Sequence, residues 1–332
     1  DPLWSRGLGD VYKRQMESCA FVFPGQGSQY VGMGADLARE FPEAREVFEM
    51  ADDVLGFPLS RLCWDGPEEQ LRQTEFTQPA VVVTSLAAWR ALQARELVPA
   101  MVAGHSVGEY AALAVAGVMR LDDCMRLVRR RGQLMQAAGD GRPGGMAAVF
   151  GLGVERTGDL CRRVGERGLG LIEVANINSP EQIVVSGEMD GIHAGEVVAK
   201  EMGARRYIKL PVSAAFHSSL MVDAADKLAA DLETAELAQA KFPVVANVTA
   251  LPVVFPGEVR DALSRQVASR VRWVESIEAM LARGVNTFVE VGPGTALAGM
   301  IRKINRDARV LGVQDAAGVL RTVDSLTSGA VQ

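Results

Sequence analysis

Hydrophobic positions along the chain follow two alternating rhythms. Short apolar-rich runs, Cys19–Phe23, Ala100–Ala103, Phe242–Val248, Thr287–Val291 and Arg309–Val313, predict buried strands. Between them, apolar residues recur at helical spacing over Asp36–Leu55, Pro79–Leu97, Tyr110–Val118, Leu121–Ala138 and Ser218–Leu237. Gly257–Arg283 predicts two helices broken near Val271, and a further helix runs from Gly292-Pro293-Gly294 to about Arg306. Strands alternating with helices give an α/β fold with a mostly parallel sheet covered on both faces. The glycine-rich break Gly139–Gly145 opens a different unit. There the pattern is strand Met146–Phe150, helix Val154–Arg167, strands Leu171–Ala175 and Gln182–Ser186 around a turn at Asn178-Ser179-Pro180, helix Met189–Met202 and strand Ala204–Leu210. That β-α-β-β-α-β order predicts a ferredoxin-like subdomain inserted into the larger fold.

The expected organisation is a discontinuous large domain over residues 16–140 and 213–315, the insert over 141–212, and a C-terminal tail over 316–332 that is small, polar and frayed after Thr322. Residues 1–15 lack the rhythm of the rest of the chain and read as a non-native scar, with Met16 as the natural start. Composition changes this picture little. The 332 residues are 48% hydrophobic and 23% charged, as in ordinary globular proteins. A net charge of −6 argues against a nucleic-acid partner for the chain as a whole. No apolar run is long enough to span a membrane. The four cysteines form no CxxC pair, so neither a metal site nor a disulfide framework is expected, and a reducing cytoplasm fits.

Chemistry concentrates at Gly104-His105-Ser106-Val107-Gly108, a GxSxG pattern between a predicted strand and an apolar helix. In that context it predicts a nucleophile elbow, a turn whose glycines avoid clashes and whose serine stands at a helix N-terminus. A serine nucleophile needs a base, and the chain has three histidines. His105 adjoins the serine and reads as a packing or hydrogen-bonding residue; His193 reads as a solvated helix residue. His217, in the loop after Leu210, is the base by elimination, and spacing singles out no acid as a third member. Phe23–Gln29 is glycine-rich and suits a phosphate cradle or a second oxyanion donor. The formal GxGxxG at Gly139, Gly141 and Gly144 follows a helix and contains Pro143, so it is not a nucleotide fingerprint. The run Arg129-Arg130-Arg131 suits a solvated helix face, and equally one side chain facing inward, where a guanidinium would bind a carboxylate.

The segments FVFPGQGSQ, GHSVGEYAAL, RRRGQLMQ, LPVSAAFHSSLM and VEVGPGTALAGMIRK occur in the order found in malonyl-CoA:acyl carrier protein transacylases, and the resemblance covers residues 16 to about 315. It implies an α/β-hydrolase-like large domain with a ferredoxin-like insert. It implies Ser106 as nucleophile, His217 as base, and the backbone N–H groups of Gln26 and Val107 as oxyanion hole. Arg131 would pair with the malonyl carboxylate, and the Gln266 backbone carbonyl would orient the histidine, making a Ser-His dyad. Asn176 resembles a cleft-lining residue, and Phe216 would crowd a C2 methyl group. No metal or cofactor is implied. The implied partners are malonyl-CoA and an acidic holo acyl carrier protein. A basic patch of Lys200, Arg205, Arg206 and Lys209 is the candidate dock on a monomeric enzyme. Other readings are a free-standing polyketide acyltransferase, a serine esterase or thioesterase, and a non-catalytic carrier-binding protein.

Overall fold

Two sheets organise the chain, and a computed structural model describes residues 18–328. Met16 and the expected scar lie outside the described residues. The strands are β1 (Cys19–Phe23), β2 (Met101–Gly104), β3 (Gly144–Phe150), β4 (Ile172–Ser179), β5 (Gln182–Glu188), β6 (Arg206–Lys209), β7 (Val244–Val245), β8 (Pro252–Val253), β9 (Thr287–Val291) and β10 (Arg309–Val313). The larger sheet has the order β10-β9-β1-β2-β7-β8. It is parallel from β10 to β7, and only β8 runs against its neighbour. β1, β2 and β9 are buried along their whole length because helices cover both faces, which is why they read as unbroken apolar runs.

The smaller sheet has the order β4-β5-β3-β6 and is antiparallel throughout, the ferredoxin-like arrangement. Its strands alternate between two cores. Ala147, Val149 and Val185 pack under the helices Gly153–Glu166 and Met189–Glu201. Met146, Ala148 and Val184 turn the other way and join the main core. The β4 backbone is also tied to the larger body: the Ile177 amide donates to the Val271 carbonyl at 2.9 Å, and the Val271 amide to the Ala175 carbonyl at 2.8 Å.

Several boundaries differ from the sequence reading. The stretch Asp36–Leu55 is two helices, Ala35–Glu40 and Pro42–Leu55, because Pro42 begins a new first turn. The helix expected from Pro79 starts at Thr74 and runs to Gln93, with Pro79 inside it. An interior proline frees the carbonyl one turn earlier, at Glu75. Arg129 Nη1 donates to that carbonyl at 2.5 Å, so the defect is repaired from a neighbouring helix. The glycine-rich break is short, since the helix Leu121–Gly141 and β3 consume most of it. Asn178 and Ser179 belong to β4 rather than to the turn. The strand expected over Phe242–Val248 is only two residues long, and a 3₁₀ turn, Ser219–Met221, precedes the helix Val222–Glu233. The tail expected to fray after Thr322 is instead helical to Thr327, in a helix Ala316–Thr327 capped by Asp315 and burying Val319 and Leu326. The helices Leu59–Asp65 and Glu68–Leu71 have no counterpart in the sequence reading. All four cysteines are free; Cys19, Cys63 and Cys124 are buried and Cys161 is half-buried. Among the described residues no helix is long and apolar enough to cross a membrane.

The turn after β2 is the tightest point of the fold. A Cβ on Gly104 would stand 1.9 Å from the Gly108 carbonyl carbon, and one on Gly108 would stand 2.3 Å from the Phe23 carbonyl oxygen. Backbone meets backbone there, so nothing flexible can yield. Gly104→Ala is expected to destabilise the fold by about 3 kcal/mol, at the upper end of overpacking costs, read as a lowered denaturant midpoint at unchanged slope.

Candidate active site

Ser106 occupies that turn in a left-handed conformation, with φ of 53°. A non-glycine residue held this way is strained, and the surroundings hold it. The Ser106 amide donates to Asn247 Oδ1 at 2.7 Å, while Asn247 Nδ2 donates to the Gly104 carbonyl at 2.6 Å. One asparagine, just past β7, thus clamps both sides of the elbow. The helix Gly108–Val115 begins directly after, with Val107 at its N-cap.

His217 is also left-handed, with φ of 59°, and is buried. Its Nε2 lies 2.7 Å from Ser106 Oγ. Its Nδ1 lies 3.0 Å from the Gln266 carbonyl oxygen and 3.1 Å from that of Ser269. Carbonyls only accept, so a neutral imidazole must carry its proton on Nδ1. The Nε2 lone pair therefore faces the serine hydroxyl, as a base requires. Burial and the Arg131 charge pull the His217 pKa down to about 3, which keeps the ring neutral.

Of the three consecutive arginines, Arg129 pairs with Glu75, Arg130 pairs with Asp231 at the surface, and Arg131 is fully buried. The Arg131 guanidinium donates to Gln78 Oε1 at 2.7 Å, to Gln266 Oε1 at 3.0 Å and to Ser106 Oγ at 3.2 Å. None of these acceptors is a carboxylate. Gln266 therefore serves the site with both ends, its carbonyl on the histidine and its side chain on the arginine. Its Nε2 donates to Glu109 Oε2 at 2.6 Å and to the Ser106 carbonyl at 3.1 Å. Burial pushes the Glu109 carboxyl up to about 7, against the hydrogen bonds and the Arg131 charge.

The serine and histidine open into a cleft of about 220 Å³ lined by Gln26, Asn176, Phe216, Met135, Met146 and Met300, among others. The Gln26 side chain donates to Thr74 Oγ1 at 3.2 Å. His105 turns from the serine and bonds Asn178 Oδ1 through Nε2 at 2.8 Å; His193 is exposed on its helix. The surface basic residues are less coherent: Arg205 pairs with Glu181 and Lys209 with Glu196, whereas Lys200 and Arg206 are exposed. Among the described residues no cluster of His, Cys, Asp or Glu could hold a metal ion. Sequence reasoning missed Asn247, Gln78 and Glu109. Only Glu109 carried a signal, a lone charged residue at the head of an apolar run.

A strained serine, an adjoining neutral imidazole and a buried cation aimed at the same oxygen describe an enzyme of acyl transfer. Residues 20–324 match the acyl transferase domain family, and the chain belongs to it. It is 40% identical over 311 residues to the malonyl CoA-acyl carrier protein transacylase of Bacillus subtilis, covering 94% of this chain and 98% of that one. The structure of the transacylase of that name from Coxiella burnetii superposes with a TM-score of 0.90 at 38% identity, covering 93% and 98% of the two chains. The malonyl-transacylase PlMCAT, solved in complex with the type II polyketide acyl-carrier protein AntF, gives 0.89 at 40% identity over 93% and 99%.

Because His217 is held neutral, acidification should not remove the base until well below the ordinary histidine range. The acylation rate at saturating thioester is expected to stay level down to about pH 5, whereas an imidazole titrating near 6.5 would cost roughly tenfold per pH unit below that point. Rapid-quench acylation across that range distinguishes the two.

Proposed function

We propose that the protein transfers the malonyl group from malonyl-CoA to the phosphopantetheine thiol of an acyl carrier protein through a malonyl-Ser106 ester. The observation that carries this reading is the Arg131 guanidinium, wholly buried and 3.2 Å from the nucleophilic oxygen. A buried cation beside a nucleophile and served only by neutral acceptors is suited to pair with a carboxylate. A malonyl thioester brings one; an acetyl thioester does not. The Bacillus subtilis enzyme and PlMCAT both carry malonyl transfer in their names.

In the first half-reaction Ser106 Oγ attacks the thioester carbonyl and passes its proton to His217 Nε2. The imidazolium then rests on two carbonyl oxygens instead of a carboxylate. The backbone N–H groups of Gln26 and Val107 receive the oxyanion, each such donor being worth roughly 3–4 kcal/mol in other enzymes. The C–S bond breaks, coenzyme A leaves as the thiol with the proton from His217, and the ester remains. The carrier's thiol then gives its proton to His217 and attacks the ester, returning Ser106 to its hydroxyl form. Phe216 in the cleft wall would crowd a C2 methyl, a preference worth about 1–3 kcal/mol and therefore incomplete. Asn176 lines the same cleft and would face the thioester arm.

The four free cysteines fit a reducing cytoplasm. For carrier docking, Lys200 and Arg206 are the members of the basic patch left without an acidic partner among the described residues. A second reading, service to a polyketide carrier, is favoured by the likeness to PlMCAT with its bound AntF, and the same chemistry serves both.

Intact-protein mass after brief mixing with malonyl-CoA tests the proposal. A malonyl adduct absent from Ser106→Ala, and discharged by holo carrier protein, is expected. Coenzyme A release without an adduct would make the protein a hydrolase. Arg131→Ala is expected to lower malonyl acylation by at least about 100-fold, the loss of a bidentate charge pair, and to narrow the gap to acetyl-CoA. Reversing Lys200 and Arg206 to Glu is expected to raise the Michaelis constant for carrier protein several-fold and to leave that for malonyl-CoA unmoved.

A further inference from the structure

Gln266 lies between a group that only donates and a carboxyl oxygen that receives two hydrogen bonds. On one side is the Arg131 guanidinium, 3.0 Å from Oε1; on the other is Glu109, whose Oε2 receives Nε2 at 2.6 Å. An amide can turn over and exchange its oxygen and nitrogen with little change of shape. Turned over here, it would set NH₂ against a guanidinium and oxygen against a carboxylate. We propose that Glu109 is a positioning residue: its carboxylate locks the Gln266 amide with oxygen toward Arg131, and so keeps the guanidinium aimed at the nucleophile.

Three observations support this. Glu109 is 1% exposed, and a carboxyl group so placed is retained only where it is hydrogen-bonded. Its Oε2 takes a second hydrogen bond from the Asn247 amide at 3.2 Å. Asn247 is the residue that clamps the elbow, so Glu109 is fixed to the same frame as Ser106. Finally, Glu109 and Arg131 make no direct ion pair, yet the arginine charge draws the carboxyl down against the larger upward push of burial. The two opposite charges are linked through one neutral amide, which transmits orientation as well as charge. The Ser106 carbonyl also receives Gln266 Nε2, at 3.1 Å, and is the weaker, uncharged anchor.

The inference rests on Arg131 being the carboxylate receptor, and the test separates the two. Acylation by malonyl-CoA and acetyl-CoA is measured for the wild type, Glu109→Gln, Arg131→Ala and the double variant. Glu109→Gln keeps the shape of the side chain and loses its charge and its acceptor-only character. The expected result is a fall of about tenfold in the malonyl-to-acetyl ratio of kcat/KM, carried mainly by the Michaelis constant for malonyl-CoA, the size of one charge-assisted hydrogen bond. In the Arg131→Ala background the same substitution should leave the ratio unmoved. A general loss that lowers both acyl groups equally, or a ratio that still falls without Arg131, overturns the proposal. If Arg131→Ala itself keeps malonyl selectivity, the functional reading fails first. Should Glu109→Gln not fold, Glu109→Asp keeps the charge and withdraws it by one methylene. A ratio unchanged in Glu109→Asp at a reduced thermal midpoint would then overturn the inference by showing a purely structural role.

Discussion

A positive charge with no exposure to water has to be solvated by the protein itself. Arg131 is that charge, and much of the centre of the molecule is arranged to meet its demand. Gln78 comes from the long helix Thr74–Gln93, Gln266 from the end of Pro256–Gln266, and Glu109 from the start of Gly108–Val115. Two of these helices thus meet at one guanidinium, and the third reaches it through the Gln266 amide. Dipolar oxygens alone leave such a cation tolerated rather than neutralised. On the proposed reading, a ligand that brings a carboxylate gains the difference, which would make the burial cost a source of selectivity.

The histidine answers a related constraint. A carboxylate placed behind His217 would also stand near Arg131 and would compete with an incoming acyl carboxylate for it. Two backbone carbonyls orient the ring without adding charge. They cannot be seen in a sequence, because every residue has one. That is why the spacing of acids along the chain revealed no third member.

Legibility in the sequence divides along the same line. β1 and β9 could be read closely because an unbroken buried run admits few interpretations. The turn that carries Ser106 was visible because its glycines are required by backbone clashes at Gly104 and Gly108. The start of the helix at Thr74 was hidden, since Pro79 signals a boundary and its defect is repaired by Arg129 from a distant point in the chain. The final helix was hidden because only one narrow stripe of it, around Val319 and Leu326, is buried. Asn247 was hidden for another reason: its importance comes from which turn it reaches, a property of the fold and not of its neighbours in sequence.

The free cysteines carry a consequence of a different kind. Thiol–thioester exchange needs a thiolate, and burial pushes the Cys19 and Cys161 thiols up to about 12 and those of Cys63 and Cys124 higher still. At neutral pH these sulfurs are silent. An enzyme whose work is to pass an acyl group from one thiol to another therefore contains no thiol of its own able to intercept it, and the cargo stays on a single track from carrier to serine to carrier.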